Sequence, residues 1–318
     1  MISVHIENRA VRLRRAAVPK PKPGAALIRL RVGGICNTDI ELLRGYYGFL
    51  GRPGHEFVGE VVGPAGSAWL GKRVVGEINL PCGKCEWCSR GLGRHCPART
   101  VLGIVRHPGA FAQFLTLPEA NLHAVPRNVP DEHAVFTEPI AAACEILDQT
   151  RIGKGSEVAV LGDGKLGLLV AQVLACRGAQ VHLFGHHAEK LRIAARAGCE
   201  TSSSGKLPVN RFDFTVEATG SAGGLTAAIA MTRPRGAVVM KTTVHEAVAL
   251  NTAPAVVNEI TLIGSRCGRF EPALRLLKSK RLLLDEMISA EYALEQAPDA
   301  FAKAQAKGAL KVLIRPGA

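Results

Sequence analysis

One stretch near the middle of the chain constrains the fold more than any other. Residues 158–161 form a short apolar run typical of a buried strand, and Gly162, Gly164 and Gly167 follow it directly, before an apolar helical segment. Glycines at this spacing permit a tight turn and a close approach of pyrophosphate to the backbone, while the helix offers free N–H groups to the phosphates. This order of strand, turn and helix predicts a dinucleotide-binding domain.

The residues around this motif repeat the same alternation of strand and helix. A second strand is predicted at 180–184, a helix at 188–197, and further strands at 212–217, 237–241 and 260–263. Strands separated by helices in this way usually form one parallel sheet with helices on both faces. The sequence therefore predicts an α/β fold with a doubly wound parallel sheet.

The first part of the chain has a strand-like pattern instead. Residues 1 to about 32 alternate apolar and polar positions around a proline- and glycine-rich turn at 19–24, which predicts paired strands of a small β-rich domain. A strand at 26–32 leads to Cys36, the first of several side chains that are able to bind a metal.

Three of these side chains lie between residues 36 and 56. Cys36 provides a thiol, His55 an imidazole and Glu56 a carboxylate, the ligand types of a catalytic zinc whose protein shell is incomplete. Alone, such a cysteine is more often a small buried hydrophobic residue and such a histidine a structural one. The neighbouring hydroxyl of Thr38 and carboxylate of Asp39, a candidate acceptor for the imidazole, favour the metal site.

A second group of four cysteines has more specific spacing. Cys82, Cys85, Cys88 and Cys96 form Cys-x-x-Cys-x-x-Cys followed by a fourth cysteine. Four thiolates make the closed tetrahedral shell of a structural zinc, although iron–sulfur clusters also use four cysteines. The spacing alone therefore predicts a metal site and leaves both metals open.

Composition narrows the class of protein. The chain has 318 residues and a formal net charge of +13, but its basic residues are scattered and lack interleaved aromatics, so they do not predict specific nucleic-acid binding. Its amino terminus lacks the pattern of a cleavable signal, and no uncharged run reaches transmembrane length. We expect a cytoplasmic protein without a membrane partner, whose cysteines are reduced rather than paired in disulfides.

The residues Gly-Ile-Cys-Asn-Thr-Asp at 34–39 and Gly-His-Glu-Phe-Val-Gly-Glu-Val at 54–61 resemble the zinc-dependent medium-chain alcohol dehydrogenase family. The resemblance extends over nearly the whole chain. It implies a GroES-like catalytic domain at 1–140, a Rossmann domain at 141–266, and a segment at 267–318 that returns to the catalytic domain. It also implies a homodimer or homotetramer.

The resemblance assigns roles to the candidate ligands. It implies a catalytic zinc at Cys36, His55 and Glu56, with Glu138 as the second carboxylate that polyol and sugar dehydrogenases place near the metal. Which of the two carboxylates binds directly is left open. Thr38 becomes the hydroxyl that bonds the substrate oxygen, and the four-cysteine lobe becomes a structural zinc site.

The activity implied is that of a zinc-dependent oxidoreductase, which transfers a hydride between an alcohol, of the secondary, polyol or sugar type, and NADP or NAD. We expect two zinc ions per chain. Relatives continue the proton path through a histidine three residues after the hydroxyl, where this chain has Glu41. One alternative is a non-catalytic basic zinc scaffold for nucleic acid or protein, and another is a zinc-free reductase; the intact ligand sets argue against both.

The end of the second strand predicts the cofactor. Alignment with the family places Gly185 where NAD-specific folds have an acidic residue for the ribose 2′-hydroxyl. We therefore expect NADP to be preferred over NAD, because His186, His187 and Lys190 are close enough in sequence to bind a 2′-phosphate. In the alternative, Glu189 restores the contact to NAD. The expected cofactor contacts are Gly162, Asp163, Gly164, Lys165, Leu166, Gly167, Gly185, His186, His187, Lys190, Thr219 and Arg266.

Overall fold

A computed structural model describes residues 1–243 and 247–317 of the chain. The chain divides into two compact units. Unit 1 consists of Met1–Glu138, Phe270–Ser279 and Met287–Ala318, and unit 2 consists of Pro139–Arg269 and Lys280–Glu286. In the described ranges, no helix has both the length and the apolar composition needed to cross a bilayer.

The described residues contain eighteen strands. In chain order they are β1 (Ile2–Glu7), β2 (Ala10–Arg15), β3 (Ala25–Ile35), β4 (Glu56–Gly63), β5 (Arg73–Gly76), β6 (Asn79–Leu80), β7 (Thr100–Leu102), β8 (Arg106–His107), β9 (Phe114–Pro118), β10 (Leu122–Ala124), β11 (Glu157–Leu161), β12 (Gln180–Gly185), β13 (Glu200–Ser203), β14 (Phe212–Glu217), β15 (Thr232–Met240), β16 (Thr261–Gly264), β17 (Ile288–Ala293) and β18 (Lys311–Arg315).

The helices are concentrated in the second half of the chain. They are α1 (Asn37–Leu43), α2 (Glu86–Ser89), α3 (Asp131–Ala134), α4 (Thr137–Gln149), α5 (Lys165–Cys176), α6 (Ala188–Arg196), α7 (Gly224–Met231), α8 (Ala253–Val257), α9 (Phe270–Ser279) and α10 (Ala297–Gln305). Short 3₁₀ turns lie at Tyr46–Gly48, Gly93–His95, Glu119–Asn121, Asp285–Met287 and Leu294–Gln296.

Unit 2 contains a six-stranded parallel sheet in the order β13-β12-β11-β14-β15-β16. Central β11 pairs with both β12 and β14, so that Val160 lies opposite Leu183 on one side and Val216 on the other. Its apolar residues are buried, as expected for a parallel strand covered on both faces. The strand order reverses at β11, and ligands of such sheets bind beyond the carboxyl ends of strands at this reversal. The predicted doubly wound sheet is confirmed.

Unit 1 is built on a mostly antiparallel sheet centred on β3, which pairs with β4, β9 and β18. The predicted paired strands are present at the start of the chain. Strand β2 pairs with β1 around a tight turn at Asn8 and Arg9, both with positive φ. Strand β18, from the end of the chain, places Leu313 opposite Gly34 and so reaches the segment that carries Cys36.

Candidate active site and zinc centres

The segments that carry Cys36 and His55 are joined by a buried carboxylate. Cys36 follows β3 and caps the amino end of α1, and the backbone N–H of Cys36 donates to Asp39 Oδ2 at 2.9 Å. The N–H of Gly54 donates to Oδ1 of the same side chain at 3.0 Å. Asp39 is completely buried, so these bonds hold the two segments in a defined relation.

The residue before His55 has to be glycine. Gly54 has a φ of +97°, and a Cβ atom there would lie 2.6 Å from the ring of Phe111, inside van der Waals contact. The backbone of this loop can therefore approach Phe111 closely enough to direct His55 toward Cys36 only when position 54 lacks a side chain.

The structure brings three of the expected ligands together. The ligand atoms of Cys36, His55 and Glu56 all lie within 4.8 Å of one another, and both His55 and Glu56 are buried. One sulfur, one nitrogen and one oxygen form a set of three donors, which suits catalytic zinc because its protein shell is incomplete. In the described part of the chain, Nδ1 of His55 is buried without a hydrogen-bond partner, 3.6 Å from Asp39 Oδ1.

The charges around His55 also favour a cation. Burial alone would lower the pKa of His55, but the negative charges of Asp39 and Cys36 outweigh it and raise the pKa well above its ordinary value. The same potential stabilises a bound metal cation, so the residues present fit zinc.

Sequence reasoning missed one charged residue in this site. Lys311 on β18 donates from Nζ to Glu56 Oε2, and the side chains are 2% and 1% exposed. Its Nζ also lies 5.4 Å from the ring centroid of Phe136. Burial lowers the pKa of Lys311, but Glu56, Cys36 and Glu138 outweigh this and raise it. The sequence could have identified this residue, because Lys311 interrupts an otherwise apolar run at 310–314. Lysines are almost never buried without a partner, so such a position predicts a buried ion pair.

The remaining candidates in unit 1 surround this cluster. The thiol of Cys36 contacts Thr38 Oγ1 at 3.8 Å, which places the hydroxyl beside the sulfur of a candidate zinc ligand. Glu138, in the first turn of α4, lies outside the cluster of three, although its charge acts on Lys311. Glu41 accepts a hydrogen bond from Arg44 Nη1 at 2.9 Å. These contacts leave the continuation of a proton path beyond Thr38 unassigned.

The four cysteines of the second group also converge. The Sγ atoms of Cys85 and Cys88 are 3.5 Å apart, those of Cys85 and Cys96 are 3.7 Å apart, and those of Cys82 and Cys88 are 4.0 Å apart. Four sulfurs at tetrahedral positions around zinc would be separated by about 3.8 Å. All four cysteines are free of disulfides, so this lobe fits the closed shell of a structural zinc.

The expected cofactor residues all lie at or beyond the carboxyl ends of parallel strands in unit 2. They follow β11 (Gly162, Asp163, Gly164, Lys165, Leu166, Gly167), β12 (Gly185, His186, His187, with Lys190 on α6), β14 (Thr219) and β16 (Arg266). Gly164 caps α5, and in the described part of the chain no side chain packs within 4 Å of a Cβ placed there, so the helix terminus is open to a phosphate.

The end of β12 holds a carboxylate that was not expected there. Position 185 has no acidic side chain, but the carboxylate of Asp163 lies against Gly185: a Cβ atom at position 185 would be 2.6 Å from Asp163 Oδ2. The ring of His186 contacts Ser204 Oγ at 2.8 Å, whereas His187 binds Asp163. Glu189, the alternative contact for NAD, is exposed in the first turn of α6.

Comparison with known proteins identifies the family. Residues 22–127 match the model of the alcohol dehydrogenase GroES-like domain, and residues 131–315 match the model of the glucose dehydrogenase C-terminus, which spans more than half of the chain. The chain belongs to the zinc-dependent medium-chain alcohol dehydrogenase family. It is an oxidoreductase that links the chemistry of an alcohol to a nicotinamide cofactor, and the expected family, fold class and type of enzyme are confirmed.

This dehydrogenase is similar to several named enzymes over most of its length. It is 29% identical to a sorbitol dehydrogenase from Halalkalibacterium halodurans over 94% of each chain, and 31% identical to D-altritol 5-dehydrogenase from Agrobacterium fabrum over 88% of this chain and 89% of that one. Among solved structures, a zinc-binding dehydrogenase from Sinorhizobium meliloti 1021 bound to NADP is 28% identical, covers 99% of each chain and has a TM-score of 0.91.

Proposed function

We propose that this dehydrogenase interconverts a polyol or sugar alcohol and the corresponding carbonyl compound. The observation that carries the proposal is the cluster of Cys36, His55 and Glu56. A zinc held by three protein ligands has a fourth position for a substrate oxygen. The substrate class is supported by relatives that are named sorbitol, D-altritol and erythritol/L-threitol dehydrogenases. We propose two zinc ions per chain, one at this cluster and one at the four cysteines. A cytoplasmic location stays a prediction.

The roles of the residues follow from their positions. When bound, zinc polarises the substrate oxygen and the nicotinamide cofactor accepts or returns the hydride. Thr38 accepts a hydrogen bond from the substrate hydroxyl. As that proton moves to Thr38 Oγ1 during oxidation, the Thr38 O–H proton passes to water, so Thr38 stays neutral; reduction runs the same relay in reverse. Asp39 keeps the segments of Cys36 and His55 aligned, and Lys311 holds the carboxylate of Glu56 within the site.

The two units divide this work. We propose that unit 1 is the catalytic domain and that unit 2 binds the dinucleotide, with the predicted limits 1–140, 141–266 and 267–318 for the three sections of the chain. The proposal is supported by the separation of the residues: the candidate zinc ligands lie in unit 1, and the open amino end of α5 lies in unit 2.

The test is a panel of alcohols, polyols and sugars with NAD and NADP, together with the Cys36→Ala variant. We expect turnover of polyols by the wild type and its loss in Cys36→Ala, while the dinucleotide still binds because unit 2 is unchanged. Cys176→Ala, which alters a thiol at the end of α5, is the control and should remain active. Absence of turnover with every substrate, or an active Cys36→Ala variant, would contradict the proposal.

We also propose that two chains associate through the edge of the parallel sheet. Within the described residues, β16 pairs only with β15, so its other edge is unpaired. Leu262 on this strand and Val256 and Val257 on α8 are 39%, 73% and 80% exposed. Light scattering should give a homodimer or a larger even oligomer, and Val257→Asp should weaken it. Val209→Asp, at another exposed valine, is the control.

The preference between NADP and NAD rests on the end of β12. The sequence predicts NADP because Gly185 leaves no acidic side chain there, and the structure of a relative bound to NADP supports that prediction. The carboxylate of Asp163 beside Gly185 supports the opposite preference.

A further inference from the structure

We propose that Asp163 provides, from the glycine turn, the carboxylate that the end of β12 lacks, and that the site thereby selects NAD over NADP. This inference deepens the proposed function, because it names which nicotinamide cofactor the same site takes. It assigns to the second residue of the glycine fingerprint a role that is usually filled by an acidic residue about 20 positions later.

The first support is the position of the carboxylate. A Cβ atom at position 185 would lie 2.6 Å from both Cγ and Oδ2 of Asp163. The carboxylate of Asp163 therefore occupies the space into which an acidic side chain at position 185 would extend. An acidic side chain at position 185 and the carboxylate of Asp163 cannot occupy this space together. The glycine at 185 therefore allows Asp163 to reach the strand end.

The second support is the way in which the carboxylate is held. Oδ2 accepts hydrogen bonds from the backbone N–H groups of His186 at 2.8 Å and His187 at 2.7 Å, and contacts Nδ1 of His187 at 3.0 Å. Among the residues that the structure describes, Oδ1 has only the longer contact of 3.2 Å with the same ring nitrogen. A carboxylate has about four acceptor positions, so Oδ1 retains capacity to accept a bond from a ribose hydroxyl.

The third support is charge. Burial would raise the pKa of Asp163, but the backbone and ring donors of His187 and the N–H of His186 outweigh it, and the pKa is lowered. The group is therefore an anion at neutral pH. A ribose 2′-hydroxyl can donate a hydrogen bond to it, whereas a 2′-phosphate would place a second negative charge beside it.

Four of the donors that could bind a 2′-phosphate are also engaged. The backbone N–H groups of His186 and His187 both bind Asp163, and so does the ring of His187. The ring of His186 contacts Ser204 Oγ. Binding of NADP would require the carboxylate to leave this set of donors, and the lost bonds would weaken the affinity.

The experiment measures the dissociation constants of NAD and NADP by calorimetry with the full-length protein, without substrate. We expect NAD to bind at least about tenfold more tightly than NADP, because placing like charges side by side costs several times RT. Asp163→Asn keeps the shape of the side chain and removes its charge, so it should reduce the NAD preference by about tenfold or more. Asp148→Asn, at an exposed aspartate paired with Arg269, is the matched control and should leave both constants unchanged.

A second pair of variants moves the carboxylate. Asp163→Gly should weaken NAD binding, and Asp163→Gly combined with Gly185→Asp should restore it, because glycine at 163 removes the Cβ that would otherwise lie 2.5 Å from a Cβ at position 185. Equal or tighter binding of NADP by the wild type, or an unchanged NAD preference in Asp163→Asn, would overturn the inference while leaving the dehydrogenase function intact. Failure of both dinucleotides to bind would overturn the inference and the proposed function together.

Discussion

Replacement of Lys311 by Met tests the buried ion pair beside the candidate zinc ligands. Methionine is similar in length to lysine and can remain packed near Phe136, so the change removes a positive charge with little change in volume. Glu56 then remains at 1% side-chain exposure without the cation that it now contacts. The substitution therefore leaves an uncompensated charge in the interior of unit 1.

The expected magnitude follows from this burial. Removing one partner of a buried pair typically costs about 3–5 kcal/mol of unfolding free energy, whereas removing both charges is often neutral or stabilising. Lys311→Met alone should therefore lose about 3–5 kcal/mol. The double variant, with Glu56→Gln added, should recover most of this loss. Zinc at the Cys36 site should offset part of the loss in the single variant, because the metal offers Glu56 another positive partner.

Urea unfolding monitored by tryptophan fluorescence can measure these effects in unit 1 alone. The chain has two tryptophans, Trp69 and Trp87, and both belong to that unit. Lys303→Met, at an exposed lysine on α10, is the control and should change stability by no more than about 0.5 kcal/mol. A Lys311→Met variant as stable as the wild type, or a double variant as unstable as the single one, would refute the reasoning.

Three further outcomes are expected. Thr38→Val should lower the turnover number strongly while zinc content is unchanged, because it removes the hydroxyl that handles the substrate proton; steady-state kinetics with metal analysis would measure this, and full activity would remove Thr38 from the mechanism. Cys85→Ser should reduce the zinc content by about one ion per chain and impair folding, since structural zinc contributes to folding free energy; an unchanged zinc content would contradict the four-cysteine site. Because the pKa of Asp163 is lowered from 3.8, its contribution to stability is present above pH 3.8 and is lost as pH falls below it. The stability difference between wild type and Asp163→Asn should therefore shrink in acid, and a difference that grows as pH falls would contradict the assigned contacts.

The sequence by itself determined the features whose partners are close together in the chain. The glycine turn between β11 and α5 is specified by local backbone requirements, and the four cysteines by short spacings that let thiolates converge. The ligand types at Cys36, His55 and Glu56 were also readable, since their chemistry is carried by the residues themselves.

Only the tertiary structure decided which distant groups meet. Lys311 and Glu56 are 255 residues apart, and their contact depends on β18 pairing with β3 beside the strand that begins at Glu56. The position of Asp163 against Gly185 likewise depends on the parallel pairing of β11 with β12 and on the direction of one side chain. Such contacts follow from strand register and side-chain rotamers, which local residue preferences do not specify.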